Sequence, residues 1–172
     1  MKADKCTLEF NDINLRKVAL EIKSHGERYA DSSWCSNTPV ETQSRIIFIQ
    51  NGCMYFKIDG KSFTAKKNQL VLVPENRHVE YGVPDDSLVH CRYCNFNAEF
   101  GDVSIWDYME VDWACEIDDP KKITAMFKRF DCVDDKNLIR DFIDKKMCLA
   151  TILSEFMKKA KLRIEKNCQF GH

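Results

Sequence analysis

The hydrophobic periodicity of the chain changes near residue 118, and this change restricts the fold more than any other feature. Before it, short runs alternate in hydrophobicity or are rich in β-branched residues, and turn signals separate them. After it, apolar residues recur every three or four positions, as on one face of a helix. We therefore predict a mainly β domain in residues 1–118, with an N-terminal arm, and a helical segment in residues 119–170.

The β part contains seven or eight short runs at a spacing typical of a sandwich or barrel. Asp59–Gly60 lies between two of them and is a strong hairpin signal, because both residues of the tight turn favour positive φ. Pro74 ends another run, since proline cannot donate to a strand ladder. The expected strands are Lys17–Lys23, Arg45–Gln50, Cys53–Ile58, Lys61–Ala65, Gln69–Val73, Val79–Val83, Leu88–Phe96 and a last one alternating through Val111, Trp113, Cys115 and Ile117.

Two helices are expected in the last third. Asp119 followed by Pro120 is a typical helix start, and the first helix then repeats apolar residues on one face. A second start lies at Asp134–Asp135, and neither glycine nor proline interrupts the chain from there to Lys166. The apolar stripe of this second helix is expected at Leu138, Phe142, Leu149, Leu153, Phe156, Ala160 and Ile164.

The stripe of the second helix admits two interpretations. A helix of that length extends beyond the barrel, so we predict a homodimer contact through Leu149, Leu153, Phe156 and Ala160. In the alternative, the same residues cover the sheet. The basic residues between Lys158 and Lys166 fit a solvated helix face better than a nucleic-acid patch.

Composition and motifs exclude several classes of function. The net charge is −1, with −6 in residues 1–118 and +5 in residues 119–172, which argues against a whole-surface nucleic-acid or membrane binder. No apolar run approaches membrane-spanning length, and glycine-rich nucleotide-binding motifs are absent. The N-terminus lacks the layout of a signal peptide, so we expect a cytoplasmic protein. Gly171–His172 is a candidate tag remnant.

Metal and redox chemistry are not expected. The nine cysteines are odd in number and scattered, so we interpret them as reduced thiols. Cys91 and Cys94 form a C-x-x-C pair, but within an alternating strand residues three apart point to opposite faces. No two of the four histidines share a ligand spacing such as H-x-H.

The segment GCMYFKIDGKSFTAKKNQLVLVPENRH resembles the cupin segment of the AraC family of bacterial transcription regulators. The matching residues are Gly52, Ile58–Asp59–Gly60, Phe63, Leu70–Val73, Pro74 and His78. The strand that ends at Phe96 and the helix after Asp119 are similar to elements of the same family, over roughly residues 15–165. The resemblance implies a jelly-roll barrel, that is a double-stranded β-helix, followed by two helices.

This sequence departs from enzymatic cupins at the residues that would bind a metal. The resemblance places two expected histidines at Ile58 and Gly60 and an expected glutamate near Thr64. His78 alone matches a ligand position, and one ligand does not hold a catalytic metal. We therefore expect no metal, no cofactor and no enzymatic activity.

The family resemblance implies a domain that senses a small-molecule effector and dimerises, with DNA read by a separate C-terminal domain that this chain lacks. Positions resembling the family's ligand contacts, together with residues on their faces, are Arg45, Asn51, His78, Glu80, Cys91 and Tyr93. These groups would suit a polar ligand such as a sugar, although Arg45 and Glu80 could instead pair with each other. The alternatives are a stand-alone ligand-binding cupin and a metal-dependent cupin enzyme.

Overall fold

Three antiparallel sheets, the smallest of only two strands, and two α-helices form the described part of the chain, which in this computed structural model is residues 18–100, 103–107, 109–160 and 162–164. The predicted barrel followed by two C-terminal helices is confirmed. The strands are β1 (Val18–Ala30), β2 (Cys35–Thr38), β3 (Ser44–Asn51), β4 (Cys53–Ile58), β5 (Lys61–Lys66), β6 (Gln69–Val73), β7 (Val79–Gly82), β8 (Val89–Phe100), β9 (Val103–Ser104), β10 (Met109–Val111), β11 (Ala114–Glu116) and β12 (Leu162–Ile164).

The larger sheet runs in the order β1-β8-β3-β6-β11, with β9 beside β8, and it faces a sheet of order β2-β7-β4-β5. The short strands β10 and β12 pair with each other. The β4–β5 hairpin turns at Asp59 and Gly60, whose φ angles of 47° and 81° confirm the predicted turn.

The central strands β3 and β6 of the larger sheet are buried on both faces, which gives the molecule two cores. Along β3, Ile47 and Ile49 face the lumen between the sheets, whereas Ile46 and Phe48 face the helices. β6 alternates in the same way, and this explains why both segments read as continuous apolar runs. The layers are therefore the smaller sheet, the larger sheet and the helices.

Helix α1 (Pro120–Phe130) and helix α2 (Leu138–Lys159) pack on the outer face of the larger sheet. Asp119 caps α1 as predicted, because its side chain accepts a hydrogen bond from the Lys122 backbone N at 3.0 Å. Helix α2 begins later than predicted, with Asn137 as its cap, and Ala160 has an extended conformation that ends it. Neither helix of the described residues has the length and apolar character needed to cross a bilayer.

Three predicted elements differ from the structure. Strand β1 continues beyond the predicted end at Lys23 to Ala30, paired with β8 throughout. The prediction stopped early because a register shift between Ile22 and Ser24 changes which residues share a face and so breaks the expected alternation. Strand β2 was not predicted. The last predicted strand is divided between β10 and β11, and Ile164, expected on the helix, lies in β12.

The predicted dimer stripe is part of the core of this chain. Leu149 and Phe156 are completely buried and Leu153 and Ala160 nearly so, all in the cluster between α1, α2 and the larger sheet. The physical reason is area: this sheet face carries large side chains such as Phe48, which one helix of 11 residues does not cover. The stripe therefore covers the sheet, as the alternative interpretation had it.

We predict that Leu153→Ala lowers the free energy of unfolding by about 2–5 kcal/mol, because it leaves a cavity in this core. Ser154→Ala is the matched control on the same helix, since Ser154 is exposed and its truncation should change stability by less than about 0.5 kcal/mol. Denaturant unfolding of both variants tests the assignment. Equal losses of unfolding free energy in the two variants would contradict the assignment of Leu153 to the core.

Candidate functional site

The lumen between the two sheets is apolar over most of its length and polar at one end. Side chains reach this end from β1, β3, β7, β8 and the turn before β2. They surround a cavity of about 110 Å³, called the barrel-end cavity below. Its lining residues are Arg28, Trp34, Arg45, Ile47, Tyr81, Tyr93 and Asn95.

Strand alternation directs side chains of β1, at the edge of the larger sheet, and of its neighbour β8 into this cavity. On β1, Gly26 and Arg28 lie opposite Tyr93 and Cys91 of β8. Alternate residues of a strand share a face, so Arg28 points to the lumen side together with these partners. The register shift after Ile22 sets this alternation for the second half of β1.

Arg45 is held in place by neutral groups. Its Nε donates a hydrogen bond to Asn95 Oδ1 at 2.6 Å, and its Nη1 donates to Tyr81 Oη at 2.9 Å. Asn95 Nδ2 donates in turn to Ser24 Oγ at 2.8 Å, which ties this group to β1. The guanidinium is therefore oriented, and its charge is not neutralised by these bonds.

Aromatic rings form the wall of the cavity beside the two arginines. Trp34 and Tyr81 meet edge to face, with ring centroids 5.6 Å apart. The Arg28 guanidinium lies 4.9 Å from the Trp34 ring centroid, and the Arg45 guanidinium lies 5.5 Å from that of Tyr81. These cation–π contacts orient both cations at the aromatic wall.

Tyr93 lies against the backbone of β1 at a glycine. A Cβ on Gly26 would stand 2.9 Å from Tyr93 Oη, so only glycine leaves room for the ring in this position. Gly26 thus contributes to the shape of the cavity, although it provides no functional group.

The barrel-end cavity carries a positive charge. Within the described residues, neither Arg28 nor Arg45 forms an ion pair with a carboxylate. Burial raises the pKa of the nearby Cys91 thiol to about 12, and the positive charges of Arg28 and Arg45 oppose this rise. The thiol is accordingly protonated at neutral pH.

The structure brings together only some of the predicted ligand residues. Arg45 and Tyr93 line the cavity, and Cys91 faces the lumen next to it. Asn51 is exposed at the end of β3, beyond a register shift after Ile49 that separates it from the face of Arg45.

His78 and Glu80 share a face as predicted, but it is the outer face of the smaller sheet. His78 Nε2 lies 2.9 Å from Asn37 Oδ1, and Lys57 Nζ donates to Glu80 Oε1 at 3.1 Å. The considered pairing of Arg45 with Glu80 is therefore wrong, because Glu80 points away from the lumen and its partner is Lys57.

Four residues of the cavity were not predicted: Arg28, Trp34, Tyr81 and Asn95. Asn95 had a usable signal, since it lies two residues after Tyr93 on the same strand. Tyr81 also had one, because Val79 and Val83 flank it at even spacing and all three belong to the lumen cluster. Arg28 had none, because its strand was expected to end at Lys23.

The described residues do not offer a cupin-type metal site. No group of three or more histidine, cysteine, aspartate or glutamate side chains converges in residues 18–100, 103–107 and 109–160. Ile58, at a position where the resemblance expects a histidine, is a buried part of the lumen core. Cys91 faces the lumen and Cys94 the helix core, so the C-x-x-C pair lies on opposite faces as predicted.

An ion-pair bridge connects the cavity strands with the helices. Arg92 on β8 donates to Glu27 of β1 at 2.6 Å and to Asp131 at 2.7 Å. Asp131 is the C-terminal cap of α1. The hydrogen bond from His90, with help from Arg92, lowers the pKa of Glu27, so the carboxylate stays ionised. Glu27, Arg92 and Asp131 are called the ion-pair bridge below.

The N-terminal half of α2 has an apolar surface. Five large side chains there are between 50% and 75% exposed. They are Leu138, Ile139, Phe142, Ile143 and Met147, and they are called the apolar face of α2 below. This face is distinct from the buried stripe on the same helix.

Comparison with solved structures agrees with the fold. ToxT from Vibrio cholerae superposes with a TM-score of 0.50 at 11% identity, covering 80% of this chain and 57% of ToxT. The Schizosaccharomyces pombe Cnp3 cupin domain matches at a TM-score of 0.38 and 13% identity, over 46% of this chain and 64% of its own. The Cupin_2 domain of an XRE family transcriptional regulator from Enterobacter cloacae matches at 0.36 and 17%, over 46% and 95%.

Comparison at the level of sequence found no match. No family model matches this chain, and no curated protein sequence does. The fold, a cupin barrel followed by two helices, therefore rests on the structure and on the structural comparison and not on sequence matches.

We predict that cysteines buried in the two cores do not react with a thiol reagent in the native protein, whereas exposed cysteines do. Iodoacetamide at a pH of about 8 should modify the exposed Cys35 and Cys132 in the native protein. Cys91 and Cys94 should react only after denaturation, because burial raises the pKa of each thiol to about 12. Peptide mass spectrometry measures the sites. Native modification of Cys91 at the rate of Cys35 would contradict the assigned facing of β8.

Proposed function

We propose that this chain is the effector-sensing domain of an AraC-type bacterial transcription regulator. The observation that carries the proposal is the barrel-end cavity, where six polar or aromatic side chains converge at the end of an otherwise apolar lumen. ToxT, which shares the fold over 80% of this chain, is an AraC-family regulator. The similarity supports the fold, and the cavity supports a role in binding a small polar effector.

The chemistry of the cavity favours binding over catalysis. Its side chains are guanidinium, phenol, indole and amide groups, none of which is a strong base or nucleophile at neutral pH. The neighbouring Cys91 thiol is protonated. The proposal therefore describes a protein without enzymatic activity, acting in the cytoplasm, where a DNA-bound regulator works.

Occupation of the cavity would reach the helices through β1. Adjacent residues of a strand point to opposite faces, so Arg28 faces the cavity while Glu27 faces the helix side. Glu27 is one end of the ion-pair bridge, whose other end, Asp131, caps α1. A ligand that contacts Arg28 or Tyr93 would hold β1 against β8 and thereby favour one arrangement of this bridge.

A second copy of the chain is the partner we propose for the apolar face of α2. The predicted dimer stripe is buried, whereas five large apolar side chains on the first half of the same helix remain exposed. Burying each such side chain contributes about 1.5–3 kcal/mol, and a two-fold pair of helices would bury both sets. Contact with DNA belongs, in this proposal, to a separate domain.

A ligand screen tests the proposed function and the ion-pair bridge together. Metabolites that raise the melting temperature should also slow amide exchange at residues 126–131, because the bridge connects the cavity strands with α1. In Asp131→Asn, the same ligand should bind within about threefold of the parent affinity. Its effect on exchange in α1 should be lost.

The control for this experiment is Asp144→Asn, which removes an ion pair with Arg129 but lies outside the bridge. It should keep the exchange response of the parent. A ligand that stabilises the barrel without any response in α1 would instead favour the stand-alone binding cupin. Absence of any stabilising compound would contradict the sensing function.

We predict that Phe142→Glu yields a folded monomer, because it places a charge at the centre of the apolar face of α2. Leu88→Glu is the control, since Leu88 is 73% exposed in the turn before β8, away from α2. Sedimentation should show that the parent and Leu88→Glu are dimeric. The protein concentration should be tens of micromolar, which is on the order of the Kd of a weak dimer. A monomeric parent, or a dimeric Phe142→Glu, would contradict the proposed contact.

A further inference from the structure

We propose that the effector is a small monocarboxylate with a planar apolar body. The inference rests on the proposed function and names the ligand class of the same cavity. Three features carry it: the uncompensated charge of the two arginines, the balance of hydrogen-bond donors over acceptors, and the shape of the aromatic wall.

The charge calls for an anion. Arg28 and Arg45 both line a cavity of about 110 Å³, and in the part of the chain that the structure describes neither meets a carboxylate. By contrast, three other arginines of the described residues, Arg77, Arg92 and Arg129, each form an ion pair with an acidic side chain. A carboxylate ligand would supply the missing counter-charge and accept bidentate bonds from a guanidinium.

The supply of hydrogen-bonding groups argues against a neutral polyol such as a sugar. Sugar hydroxyls both donate and accept, so a sugar site needs acceptors. The amide oxygen of Asn95 already accepts from Arg45, and Glu80, the carboxylate expected at the site, lies on the outer face. Toward the cavity, Arg28 and the unused Arg45 Nη2 can only donate, and Tyr81 Oη, which already accepts from Arg45 Nη1, has its O–H left to donate. The Tyr93 hydroxyl can donate or accept, so donors outnumber acceptors.

The wall of the cavity fits a flat apolar body. Trp34, Tyr81 and Tyr93 surround it, and Ile47 forms part of its apolar lining. A closed cavity of about 150 Å³ takes up benzene. The barrel-end cavity, at about 110 Å³, is smaller than that, but its lining includes the exposed Arg28, so one small ring would fill it with its carboxylate directed at the guanidinium groups near the opening.

Calorimetry with benzoate and its neutral isostere benzamide tests the ligand class on the purified chain. Benzoate should bind at least about tenfold more tightly than benzamide, because only benzoate carries the counter-charge. Arg45→Gln and Arg28→Gln should each weaken benzoate binding by about tenfold or more. Arg28→Gln keeps the test decisive even if Arg45→Gln does not fold, since Arg28 is exposed.

The matched control is Arg140→Gln, which removes an exposed arginine on α2 and should leave benzoate affinity unchanged. Equal binding of benzoate and benzamide, unchanged affinity in Arg28→Gln, or no benzoate binding at about 10 mM would overturn the carboxylate class. If arabinose or another neutral compound then binds in an Arg45-dependent way and slows exchange in α1, the sensing function stands without it. Failure of every compound in that exchange assay rejects the sensing function itself.

Discussion

The central strands β3, β6 and β8 of the larger sheet are packed on both faces, and the rest of the structure depends on this constraint. These strands must bury one set of alternate side chains against the smaller sheet and the other set against α1 and α2. Ile47 and Phe48, adjacent on β3, therefore belong to different cores. The same alternation lets β1 serve both sides of the sheet, with Arg28 lining the cavity on one face and Glu27 on the other face paired with Arg92, which in turn pairs with the α1 cap Asp131.

Much of the fold followed from local sequence signals. The Asp59–Gly60 turn and the Asp119 cap were predictable because each depends on a residue's own conformational preference and its nearest neighbours. The length of β1 was not, because a register shift after Ile22 interrupts the alternation on which a strand prediction depends. The division between β10 and β11 likewise depends on pairing partners distant in the sequence.

Residues of the candidate site were predictable only where counting alternate residues along a strand shows which face of the sheet a side chain occupies. Arg45 and Tyr93 lie at the cavity, whereas His78 and Glu80 lie on the outer face, because Tyr81 occupies the lumen side of β7. Which apolar residues of helix α2 are buried was ambiguous in a similar way. Its apolar residues serve two surfaces, and periodicity alone did not separate the buried Leu149 from the exposed Phe142.

A crystal structure of the chain with benzoate would test the central claim most directly, namely that the polar end of the lumen is the ligand site. We predict the benzoate carboxylate within hydrogen-bond distance of Arg28 or Arg45, with its ring between Trp34 and Tyr93. Benzoate bound instead on the outer face of the smaller sheet, beside Lys57 and His78, would contradict the account.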